Sequence, residues 1–103
     1  MRVILRGGLT MATVQVRAYR TQRGRDAASL SDKGYVNVGH ACDPKELMLL
    51  GTIHRDFRWC IYISGRSILK NQDEAMQLLG AVWVVDTRSR PMDGHWEYNG
   101  EPL

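Results

Sequence analysis

A chain of 103 residues, 44% apolar and 24% charged, has room for one hydrophobic core, which excludes a multi-domain arrangement and disorder of the whole chain. The net charge of +3 hides a polarity: residues 1–34 carry seven basic and two acidic side chains, a balance of +5, while the rest carries seven basic and nine acidic, a balance of −2. Two cysteines are too few for a disulfide-framed secreted domain, and no stretch approaches the ~20 apolar residues of a membrane helix, so the expectation is a cytoplasmic protein without membrane attachment.

Residues 1–10 have only Val3-Ile4-Leu5 as an apolar run, shorter than the ~7–15 residues of a secretory signal core. They read as an N-terminal extension to a single domain over 11–103. Val14, Val16 and Ala18 then alternate with Thr13, Gln15, Arg17 and Tyr19, which predicts a half-buried strand. The polar segment Arg20 to Gly34 is compositionally loose, with room for a short helical turn around Asp26–Leu30. Tyr35–Val38 reads as a second strand ended by Gly39.

Asp43-Pro44 is a strong helix start, because Asp caps free N–H groups and Pro suits the first helical position. Glu46 in the first turn and Gly51 at the end complete that helix. Residues 57–63 form the strongest strand, with Phe57, Trp59, Ile61 and Ile63 on one face and Arg58, Cys60 and Tyr62 on the other. Ser64-Gly65-Arg66 turns it into a partner strand, Ser67–Lys70. Asn71 with Glu74 three residues on resembles a capping box, and opens a second helix over 72–80. Val82–Val85 is β-branched and aromatic, hence a strand, and His95–Tyr98 is an edge strand before a polar tail.

This order predicts an α+β fold: a mainly antiparallel sheet with two helices on one face, compatible with a ferredoxin-like βαββαβ core plus an N-terminal strand. The expected core is Leu47, Leu50, Trp59, Ile61, Ile63, Leu78, Leu79 and Val82. Trp83 reads as core, and Trp96, in a polar segment, as the more exposed indole. The helices are expected over the Trp59/Ile61/Ile63 face. That leaves Arg58, Cys60 and Tyr62 as an open face, too apolar to be wholly wet, to be covered by an additional strand of the chain or by a second copy in two-fold packing, with the second copy preferred.

No motif in the chain assigns a catalytic residue, a metal or a cofactor. His40, Cys42, His54, Cys60 and His95 have no zinc-site spacing. His40 and Cys42 share one face of an extended segment, without the surroundings of a cysteine enzyme. No phosphate-binding glycine loop occurs. Three function classes remain. The first is a non-enzymatic interaction protein with a protein partner or itself as a homodimer, using Arg58, Tyr62 and Trp96. The second binds nucleic acid or another polyanion through Arg17, Arg20, Arg23 and Arg25, whose guanidinium groups suit phosphates and base stacking. The third is a small-ligand or enzymatic domain with a pocket between sheet and helices.

Overall fold

The structure, a computed structural model, describes residues 12–52, 59–85 and 93–103. The extension 1–10, Met11, and the expectations that fall on Phe57, Arg58, His54 and Pro91 lie outside the described residues.

Strand β1, Val14–Tyr19, runs antiparallel to β2, Val36–Ala41, and to β3, Trp59–Ser64. A turn at Gly65 and Arg66 leads from β3 to β4, Ser67–Ile68. The first sheet therefore has the order β2-β1-β3-β4. Strand β5, Val82–Val85, β6, Gly94–Tyr98, and β7, Glu101–Pro102, make a second antiparallel sheet in that order. Three short helices complete the α+β mix: α1, Gln22–Asp26, α2, Pro44–Leu50, and α3, Gln72–Leu78.

The ferredoxin-like order does not form: the N-terminal strand β1 lies between β2 and β3, where that order would place β4, and β4 pairs outside β3. Strands β2 and β3 are each antiparallel to β1, so they run parallel with β1 between them and α2 in their connection, a split βαβ unit. The last strand of that order departs from it as well: β5 leaves the first sheet and pairs with β6. Val82 is consequently 60% exposed and Leu78 44% exposed, where the sequence pattern placed both in the core.

Local chemistry sets the helix starts. Asp43 Oδ1 accepts from Glu46 N at 2.9 Å, and Asn71 Oδ1 accepts from Glu74 N at 2.9 Å. Each glutamate reaches back past its cap, to Cys42 N at 2.8 Å and Lys70 N at 3.5 Å. The short helix in the arginine-rich segment starts earlier than the expected turn at 26–30: Thr21 caps it, accepting from Gly24 N at 3.0 Å.

Both faces of the first sheet are covered, with the faces of β3 reversed from expectation. Leu47 of α2 and Ala75 and Met76 of α3 are buried in one cluster with Val14, Val16 and Ala41, and Cys60 and Tyr62 pack against it. The helices thus lie on the Cys60/Tyr62 side. Ile61 and Ile63 are buried on the opposite side with Tyr19, joined by Ala28, Tyr35 and Trp59. The cover there is the polar segment between β1 and β2. A register irregularity at Val16/Arg17 leaves Val38 as the extra residue of β2, and Val38 packs with the helix-side core.

The second sheet joins the main core through Leu79, Ala81, Trp96 and Leu103. Its last hairpin was read as a polar tail. Asn99 and Gly100 have φ of 54° and 81°, the two successive positive values that a tight type I′ hairpin turn requires. Among the described residues, no helix is long and apolar enough to cross a membrane.

Candidate functional site

The four arginines proposed to face an anion have different fates. Arg17 is 8% exposed. It lies beside Ile61 on the second face of the sheet. Its Nη1 donates to the carbonyl oxygens of Ser29 at 3.4 Å and Leu30 at 3.2 Å, and its guanidinium lies 4.1 Å from the centre of the Tyr35 ring. Its Nε is buried without a partner. Alongside it, the Tyr19 hydroxyl donates to Asp32 Oδ2 at 2.8 Å. Asp32 also accepts from the Ser29 backbone at 3.0 Å and from the Ser29 hydroxyl at 3.0 Å. These bonds, the backbone one first and then that from Tyr19, hold the Asp32 carboxyl below its ordinary range. Arg17 thus pins the 20–35 segment to the sheet. Arg25 Nε pairs with Asp26 at 2.9 Å, and its guanidinium sits 5.2 Å from the centre of the Trp59 ring. Arg20 and Arg23 are exposed. The segment does not bring four guanidinium groups to one open surface.

Tyr62 is half-buried against the helix-side core, and Trp96 is half-buried against the same core from the second sheet. Arg58 lies outside the described residues. The face of β3 that carries Cys60 and Tyr62, expected to be open, is packed against the helix-side core instead. Neither cysteine is in a disulfide: Cys42 is exposed and Cys60 half-buried. His95 Nε2 is 2.7 Å from Glu97 Oε2, and no group of three potential metal ligands occurs among the described residues.

A cleft of about 440 Å³ opens between α1, β3 and the start of α3, lined among others by Arg25, Cys60, Tyr62, Leu69 and Lys70. Burial pushes the Cys60 thiol up, with Arg25 pulling the other way, so Cys60 is poorly prepared as a nucleophile. Burial, with the nearby Cys60 adding to it and Arg25 opposing it, pushes the Tyr62 phenol up to about 12 from its ordinary 10.0. A raised folded-state value favours the neutral phenol. Its contribution to stability is complete below 10.0 and disappears as the pH climbs through about 12. In an alkaline titration followed by ultraviolet tyrosinate absorbance, Tyr62→Phe should remove the latest-rising component. An unchanged high-pH limb in that variant would show that Tyr62 is not the last phenol to ionise.

The second sheet exposes three large apolar side chains on one short strand. Val82, Trp83 and Val85 are 60%, 42% and 44% exposed. Trp83 stands directly opposite Trp96 in the β5–β6 pairing, their ring centres 5.3 Å apart and their planes at 73°. Trp83 is the more open indole, the reverse of the expectation. Gly94 makes the arrangement sterically feasible: a Cβ there would meet the Val84 carbonyl oxygen and lie 2.9 Å from Cε2 and Nε1 of Trp83. The strand β5 has a hydrogen-bonded neighbour on one side only among the described residues. Sequence reading identified Val82–Val85 as a strand but missed its open edge.

Comparison with protein-family models, with curated proteins and with solved structures finds no match for this chain.

Proposed function

We propose that this protein is a small interaction module that works by sheet addition at β5, with a second copy of the chain as its partner. The observation that carries the reading is an edge strand of four apolar residues, Val82-Trp-Val-Val85, with three of them more than two-fifths exposed and one row of backbone groups unpaired among the described residues. Such an edge is a template for another strand, because backbone N–H and C=O groups seek partners and nothing charged on the strand repels an incoming one. The uncharged strand is also compatible with itself. Two copies of β5 paired antiparallel about a two-fold axis bring no like charges together. Leu78, 44% exposed at the end of α3, adds apolar surface close to β5 in the chain.

Sedimentation at micromolar concentration tests this. The unmodified protein should sediment above the 11.7 kDa of one chain, and the double variant Val82→Lys, Val85→Lys should return to that mass with an unchanged far-ultraviolet spectrum. A lysine on an edge strand discourages pairing at little cost to the fold. A single-chain mass for the unmodified protein across the micromolar range would defeat the proposal.

A further inference from the structure

A recess of about 390 Å³ lies between α3 and the second sheet, lined by Asp73, Gln77, Trp83 and Trp96. Its size falls within the range of small-ligand sites, which begins at about 300 Å³. Two tryptophans from paired strands supply one wall. Their near-perpendicular planes form a corner in which one small body can touch both indoles. The helix supplies the other wall. Asp73 and Gln77 are four residues apart and so project from the same face of α3.

The chemistry of this lining is selective. Its only formal charge is the Asp73 carboxylate, which makes no ion pair among the described residues. An indole face is electron-rich and attracts cations, Trp more than Tyr or Phe. A carboxylate beside two indoles therefore rejects anions and gives a neutral apolar ligand no partner for the charge. A compact ammonium ion that keeps a full hydration shell gains little there. An ammonium ion clothed in methyl groups is weakly hydrated, fills an aromatic corner and keeps its charge. We infer that the Trp83/Trp96/Asp73 recess is a binding site for a methylated ammonium group. The recess faces α3 and uses side chains, whereas sheet addition uses the backbone edge of β5, so this inference does not depend on the proposed self-association.

Tryptophan fluorescence of the full chain, titrated with choline chloride against sodium chloride at matched ionic strength, tests the site. Choline should give a saturable change that sodium chloride does not. The neutral carbon isostere of choline, dimethylbutanol, should bind at least about tenfold more weakly, since it has the shape without the charge. Asp73→Asn, a surface change on the first turn of α3, should weaken choline by about tenfold while leaving the far-ultraviolet spectrum and the sedimented mass unchanged. Trp83→Phe should weaken it less, because a smaller aromatic face remains. Trimethyl-lysine carries the same head on an amino-acid tail, and its affinity relative to choline separates a free metabolite from a modified side chain as the source. Equal binding of choline and its neutral isostere, an Asp73→Asn variant as good as the unmodified chain, or no response beyond that of sodium chloride would each overturn the assignment.

Discussion

Arg17→Ala should lower stability by about 2–4 kcal/mol, a large share of what a domain of this size possesses. The substitution removes two hydrogen bonds from a charged donor to the carbonyls of Ser29 and Leu30, the stacking on Tyr35, and the methylene stem packed beside Ile61. A denaturant melt should show a lower midpoint with little change in slope. Arg17→Met separates the causes. Met keeps most of the stem, and it removes the buried Nε that has no partner. The two carbonyls belong to exposed residues, where water can replace the guanidinium. Met is therefore expected to recover more than half of the loss. Equal losses for Ala and Met would assign the effect to the hydrogen bonds, and a loss under about 0.5 kcal/mol for Ala would mean that the segment does not depend on Arg17. The same burial governs any test of anion binding, because a variant lacking all four arginines would confound lost charge with lost structure. Arg20→Ala with Arg23→Ala avoids that confusion.

Gly94→Ala should cost about 1–3 kcal/mol and disturb the second sheet first. The added methyl has two obstacles, the Val84 carbonyl oxygen and the Trp83 indole. The indole can swing aside, but the carbonyl belongs to the paired strand and can move only if the β5–β6 ladder opens. The expected signature is local: the Trp83–Trp96 exciton feature in the circular dichroism weakens, while the buried cluster around Leu47 and Met76 keeps its amide protection. Retention of the tryptophan coupling in Gly94→Ala would show that the hairpin absorbs the methyl without opening.

What was legible in the sequence is what neighbours in the chain decide. Asp43, Asn71 and the two glutamates that follow them announced both main helices, because a cap and the backbone N–H that donates to it are three residues apart. The alternation in β1 and β3 showed which side chains share a face. It carried no information on which face the helices would take, and with Ile61 and Ile63 on one side and Cys60 and Tyr62 on the other, β3 is apolar enough for either. Arg17 was read as an anion-facing side chain because it alternates with the apolar residues of β1; its burial depends on Tyr35 and the Ser29–Leu30 carbonyls, eighteen and twelve residues or more away. Val82 was read as core because its pairing with Glu97, fifteen residues on, is not a local property. The Asn99-Gly100 turn is the exception: a recognised hairpin dipeptide was present and was passed over as tail.

The candidate recess was legible only as ingredients. Trp83, Trp96 and Asp73 are unremarkable in the chain, and a long-range strand pairing together with the position of α3 is what brings them to one recess.

The two borders of the second sheet are unlike. On the side opposite β5, β7 is two residues long and contains Glu101, a charge, and Pro102, which has no N–H to offer. Among the described residues, one border thus offers unpaired backbone groups and the other is blunted. A sheet with two adhesive borders can add copies without limit and grow into a fibre, whereas a sheet with one can join only a single neighbour at that border. Any assembly made through β5 is then finite: it closes at two molecules, and raising the concentration fills that pair without lengthening it.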